Sequence, residues 1–164
     1  MFAKDDIDRA ERLLSNLRGK GLRLVAAESC TGGLITALLT EIPGSSDVLD
    51  RGFVTYADDA KTTMLAVPKA VIDRHGAVSA VVAVAMAEGA LANSQAGVAV
   101  AVTGIAGPDG GSPQKPVGLV YIAVGRRGGA PAAQRFSFGD IGRSAIRMAT
   151  VREALRLIED AVGG

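Results

Sequence analysis

The run Glu28-Ser29-Cys30-Thr31-Gly32-Gly33 sets a hydroxyl beside a thiol, between the short apolar stretch Leu24 to Ala27 and a segment of helical character from Leu34. A serine at such a strand-to-helix junction lies where main-chain N–H groups point outward without partners, a setting that suits an oxyanion. A plainer role fits the same residues: Ser29 or Thr31 as the helix N-cap, with the glycines fitting the turn. Nucleophilic chemistry also needs a base. The candidates are Lys61, in the run Thr55-Tyr56-Ala57-Asp58-Asp59-Ala60-Lys61, and His75, the one histidine. A lysine accepts a proton only when neutral, and partial burial beside an apolar sheet lowers its pKa in that direction. Tyr56, at a strand end, is placed to relay or orient that proton. The competing assignments are a Ser-His-Asp set from His75 with Asp47, Asp50 or Asp73, Cys30 as a thiolate favoured at the helix start, and Lys61 as a solvated helix charge.

A third feature is the 15-residue stretch Gly104 to Gly118, GIAGPDGGSPQKPVG, with five glycines and three prolines. It leaves the carboxyl end of a continuous apolar strand, the place where open α/β sheets bind ligands, and its composition suits fixed, close backbone approach. No Gly-Lys-Ser/Thr follows, so it is not a Walker A loop. A hairpin follows rather than a helix, so it is not a dinucleotide fingerprint either.

The elements that must position these residues read as alternating helices and strands. Ile7, Ala10, Leu13, Leu14 and Leu17 recur at helical spacing up to Gly19 and Gly21. Arg23 to Ala27 predicts a buried strand, Leu34 to Ile42 a helix closed by Pro43-Gly44, and Gly52 to Ala57 a second strand. Asp58 is expected at a helix cap, Pro68 to Arg74 as a further helical turn or two, and Ser79 as the cap of an Ala-rich helix to about Asn93. Ala96 to Gly104 has the length and apolarity of a central strand covered on both faces. Leu119 to Gly125 and Ala133 to Gly139 predict an antiparallel hairpin, and Arg143 to Val162 a closing helix. The expected fold is a three-layer α/β/α domain over residues 1–164, with a mixed five-stranded sheet that includes one antiparallel hairpin near the C-terminus.

Composition narrows the function classes. Of 164 residues, 48% are hydrophobic and 21% charged, as in a folded globule, while 4% aromatics and no Trp argue against base-stacking platforms. A net charge of +1 gives no general field for nucleic acid or an anionic membrane. One cysteine and one histidine leave no ligand set for a structural zinc, and no metal or cofactor is expected. The charged N-terminus and the lack of a long apolar run predict a cytoplasmic protein.

Taken together, AESCTGG, PGSS, GFVTYADDAK, HGAVS, VAVTGIAGPDGG and KPVG resemble the nicotinamide-nucleotide amidase family, the CinA C-terminal domain. The resemblance covers Leu24 to Gly118 closely. It weakens in FGDIGRSAIR, where Arg143 and Ile146-Arg147 keep the family's spacing and Asp140 is displaced. It implies the same mixed five-stranded sheet, a stand-alone form of the domain and a homo-oligomer. The implied reaction is hydrolysis of the carboxamide of nicotinamide mononucleotide, without a cofactor. Ser29 is then the nucleophile, Lys61 the base and Tyr56 its auxiliary. Cys30, Thr31, Gly32 and Gly33, with Thr103, Gly104 and Gly107, form the oxyanion and substrate loops. Arg143 or Arg147 binds the phosphate, within the chain or across a subunit boundary. The alternative class is a non-catalytic nucleotide- or partner-binding domain linked to competence or DNA damage, for which the sequence shows no basic stripe or DNA-binding motif.

Overall fold

Helix α1 (Lys4–Gly19) buries Ala10, Leu13, Leu14 and Leu17 on one face, as the helical spacing of those residues requires. The elements then run β1 (Leu24–Glu28), α2 (Leu34–Thr40), a 3₁₀ turn (Ser45–Asp47), β2 (Leu49–Val54), α3 (Asp58–Leu65), α4 (Lys69–His75) and α5 (Ala80–Ala92). They close with β3 (Val98–Gly104), β4 (Leu119–Arg126), β5 (Ala132–Ser137) and α6 (Arg143–Val162). The computed structural model describes residues 2–163. Met1 and Gly164, the ends of the expected 1–164 unit, lie outside them.

The sheet order is β2-β1-β3-β4-β5, with β2, β1 and β3 parallel and β4 and β5 antiparallel. Every residue of β1 is buried, and β3 is buried up to its last residue, as befits central parallel strands covered on both faces. Alternate side chains feed two cores. Ala26, Val100 and Val102 pack with α1, α2 and α6, whereas Val25, Ala27, Ala99 and Ala101 pack with α3, α4 and α5. This is the expected three-layer α/β/α arrangement with a mixed sheet and a C-terminal hairpin.

Register sets where the chemistry can occur. Glu28 at the end of β1 lies beside Val54 of β2 and Val102 of β3. All three parallel strands therefore release their chains at the same sheet edge. Helix α3, which leaves that edge after β2, is drawn tightly onto α5: a Cβ at Gly89 would overlap the Leu65 carbonyl. That close approach fixes the helix carrying Lys61.

Most element ends fall within two residues of expectation, and the largest departure is at β2. Strand β2 covers Leu49–Val54 rather than Gly52 to Ala57. Its first residues pair with β1 through a register shift, and Asp50 is tolerated there because Arg23 and Arg51 hold its carboxylate at 2.8 and 2.6 Å. Thr55 N–H makes a last bond to Glu28 O (2.8 Å) before the chain leaves the sheet at Tyr56. Asp58 is the first residue of α3, one past the cap position, which Ala57 occupies. Ser79 caps α5 as expected, its Oγ accepting from Val82 N–H at 3.3 Å. Among the described residues no helix is long and apolar enough to cross a membrane.

Candidate active site

Ser29 is the first residue after β1, and its N–H donates to Val102 O of β3 at 3.1 Å, so the sheet itself places the hydroxyl. Lys61 reaches the same point from α3. Its side chain is 1% exposed, the most deeply buried cation of the site. The Nζ atom lies 3.3 Å from Ser29 Oγ, 3.0 Å from Thr55 O and 3.4 Å from Tyr56 O. Two of those neighbours are carbonyls, which only accept. A neutral amine would spend its two N–H bonds on them and keep its lone pair for the Ser29 O–H. Burial lowers the Lys61 pKa from the ordinary lysine value of 10.5, opposed by the Asp58 carboxylate, whose Oδ1 is 3.6 Å away. The lysine is therefore not a solvated helix charge.

The helix cap is a correction. Neither Ser29 nor Thr31 caps α2. The buried Glu28 carboxylate does, accepting from Gly33 N–H (3.0 Å), Ile35 N–H (3.0 Å), Thr36 N–H (2.8 Å) and Thr36 Oγ1 (2.7 Å). An acidic last residue in an otherwise apolar strand was the available signal for it. The cap has two consequences. It frees the Ser29 hydroxyl for Lys61, and it consumes most N–H groups at the helix start. Gly32 N–H is also engaged, donating to Ser29 O at 3.0 Å. From Ser29 to Thr36, only Cys30 and Thr31 keep N–H groups with no acceptor among the described residues. Of the expected oxyanion residues Cys30 to Gly33, these two retain free donors. Gly32 and Gly33, at φ +59° and +95°, supply the left-handed turn instead.

Cys30 is buried, and that burial pushes its thiol up to about 12, which makes it a small protonated filler rather than a thiolate. His75 ends α4 on the surface and makes no hydrogen bond to Ser29, and its carbonyl accepts from Lys115 Nζ. Asp47, Asp50 and Asp73 pair with Arg18, with Arg23 and Arg51, and with Lys69 respectively. No Ser-His-Asp set forms.

A cavity of about 270 Å³ opens over Ser29 and Lys61, walled by the Gly104 to Gly110 segment and by Tyr56, Asp58, Thr103 and Arg143. The glycine-rich loop is pinned at both ends, by Ile105 N–H to Leu119 O (2.9 Å) and Gly118 N–H to Ile105 O (2.8 Å). Thr103 Oγ1 donates to Ala77 O at 2.8 Å, tying the end of β3 to the segment before α5. Arg143 donates to Gly107 O and to the Tyr56 hydroxyl, both at 2.7 Å. The phenol of Tyr56 is thus held by Arg143, while the part of Tyr56 that meets Lys61 is its carbonyl. Arg147, four residues on, bonds to Cys30 O and Thr31 O and does not line the cavity. Asp140 is exposed. Asp58, expected only as a helix cap, and Asp109, which sequence reasoning did not single out, line the site because α3 and the glycine loop deliver them there.

A larger cleft of about 740 Å³ lies between α1 and α6. Four of its charged residues pair off, Arg9 with Glu159 and Arg152 with Asp6, and no serine, cysteine or lysine is among its lining residues. The hydroxyl–amine pair of Ser29 and Lys61 lies instead at the strand ends.

Residues 6–162 match the CinA C-terminal domain. The chain belongs to that family. This CinA domain is 51% identical to the competence/damage inducible protein CihA of Agrobacterium tumefaciens, with a TM-score of 0.96 over 100% of this chain and 99% of that one. A CinA superfamily protein of Klebsiella pneumoniae is 33% identical, with a TM-score of 0.91 over 96% of this chain and 98% of that one. A CinA-like protein of Citrifermentans bemidjiense is 50% identical over 156 residues, 94% of this chain and 37% of the relative. The chain thus spans under two fifths of the curated relatives it matches.

Proposed function

We propose that this CinA domain is an amidohydrolase that cleaves the carboxamide of nicotinamide mononucleotide to nicotinate mononucleotide and ammonia. The observation that carries the reading is the Lys61 amine, buried between two carbonyls with Ser29 Oγ as its third neighbour. The nucleotide is the substrate implied by the resemblance of AESCTGG, GFVTYADDAK and VAVTGIAGPDGG to the nicotinamide-nucleotide amidases.

Ser29 Oγ attacks the amide carbon while its proton passes to Lys61 Nζ. The resulting oxyanion meets the free N–H groups of Cys30 and Thr31, contacts of a kind worth on the order of 3 kcal/mol per donor. As the tetrahedral adduct collapses, the carbon–nitrogen bond breaks, and the Lys61 ammonium gives its proton to the departing nitrogen, which leaves as ammonia. Water then attacks the Ser29 ester. Lys61 takes a proton from the water and returns one to Ser29 Oγ, releasing the carboxylic acid, which ionises to the carboxylate by losing its proton to solvent. Arg143, on the cavity wall with guanidinium N–H groups beyond the two it uses, is the better placed of the two arginines for the phosphate.

The test is direct. Purified protein incubated with nicotinamide mononucleotide should release ammonia and nicotinate mononucleotide in equal amounts. Binding of the nucleotide with no ammonia release would instead make the chain a non-catalytic nucleotide-binding domain.

A further inference from the structure

Arg147 lies about 6 Å along α6 from Arg143, yet it serves a different segment. Its Nε donates to Cys30 O at 3.2 Å and its Nη2 to Thr31 O at 2.7 Å. Those two carbonyls are its hydrogen-bond partners among the described residues, and no carboxylate pairs with it. Both belong to the turn that carries Ser29. The guanidinium lies against that turn at its glycine: a Cβ at Gly32 would sit 3.3 Å from Arg147 Nη2.

A trans peptide unit is planar, with its N–H directed opposite its C=O. Holding Cys30 O toward α6 therefore fixes the Thr31 N–H in the opposite direction, and that N–H is one of the two left without an acceptor. The next unit is fixed from both ends. Thr31 O takes Arg147 Nη2 and Leu34 N–H (3.3 Å), and Gly32 N–H returns to Ser29 O (3.0 Å). An arginine is suited to this task because its rigid fork spans two acceptors, whereas a lysine ammonium is a single point.

We propose that Arg147 is a positioning residue. Acting through the Cys30 and Thr31 carbonyls, it aims the Thr31 N–H at the oxyanion formed when Ser29 attacks, and it does not bind the phosphate. This rests on the acyl-transfer reading of Ser29 given above.

The experiment compares Arg147→Met, Arg147→Lys and Arg147→Ala with the unmodified chain. It uses nicotinamide mononucleotide, its phosphate-free riboside and a fluorophosphonate, a reagent whose phosphorus bonds to Ser29 Oγ as fluoride leaves. Arg147→Met should lose about 100-fold in kcat on both amide substrates, with KM within about threefold and an unchanged pH profile. Arg147→Lys, which keeps the charge and protects the fold, should recover only part of that loss. Free guanidinium ion should raise kcat of Arg147→Ala. A KM increase confined to the phosphorylated substrate would overturn the proposal in favour of a phosphate ligand. An unchanged kcat in Arg147→Lys and Arg147→Met would overturn it because the turn then holds itself. Fluorophosphonate labelling separates the two layers of inference. If the unmodified chain is labelled at Ser29 but leaves the nucleotide intact, the substrate reading fails while slower labelling of the Arg147 variants still supports the positioning role. If labelling rates match across all variants, the positioning role is refuted whatever the substrate.

Discussion

Replacing Lys61 separates a proton acceptor from a mere positive charge. Lys61→Arg keeps a cation of similar reach, but a guanidinium does not give up its proton, and Lys61→Met keeps length without charge. One general base contributes about 10²- to 10⁴-fold, and here the same group serves both the attack and the departure of ammonia. Nζ lies 3.3 Å from Ser29 Oγ and is the one side-chain hydrogen-bond partner of that hydroxyl among the described residues, while the Asp58 carboxylate lies 3.6 Å from Nζ and makes no hydrogen bond to Ser29. Both variants should therefore lose at least about 1,000-fold in kcat/KM, or about 4 kcal/mol of transition-state stabilisation. The assay is ammonia release against pH. Because the neutral amine is the active form and burial lowers its pKa below 10.5, kcat/KM of the unmodified chain should rise with pH through a midpoint below that value. The Asp58 carboxylate at 3.6 Å raises the same pKa, so Asp58→Asn should move the rising limb to lower pH. Stability gives an independent check. Between the lowered folded pKa and 10.5 the unfolded chain binds more protons, so stability relative to Lys61→Met should increase with pH across that window, and the burial penalty is present in full below it. Lys61→Arg activity within about tenfold of normal, or a rising limb that ignores Asp58→Asn, would refute the base assignment.

Three further outcomes follow from the site. Cys30→Ala should keep most activity in the ammonia assay, because a protonated buried thiol only fills space beside Ser29. Arg143→Gln should raise KM for the mononucleotide more than for the riboside in parallel steady-state measurements, since Arg143 is the cation besides Lys61 among the residues lining the cavity. Glu28→Gln should cost about 3 kcal/mol in urea unfolding, well above the ~1 kcal/mol of an ordinary N-cap, because the amide loses charge and offers donors to N–H groups that need acceptors.

The framework of the site was legible because it follows periodicity and punctuation. Apolar runs at Leu24 and Val98 gave the central strands, glycines marked the turn after Ser29, and glycine and proline density marked the loop after β3. What stayed hidden depends on contacts between distant segments. Glu28 was given no role from sequence, yet it turns inward to cap α2, which reassigns both Ser29 and Thr31. Arg143 and Arg147 stand four residues apart on one helix face and are equivalent in sequence, but only packing sends one to the Gly107 loop and the other to the Cys30 turn. The edge strand β2 was displaced by three residues because a paired Asp50 reads as loop in isolation.

The central claim is that Ser29 carries the acyl group with Lys61 as its base, and the most direct test is rapid-quench analysis of the first turnover. Mixing the purified chain with excess nicotinamide mononucleotide, quenching in acid and mapping peptides by mass spectrometry should find a nicotinoyl-nucleotide ester on Ser29. It should form with the first equivalent of ammonia and be absent from Ser29→Ala and Lys61→Met. Ammonia release at normal rate from Ser29→Ala, or an adduct on Cys30 in place of Ser29, would contradict it.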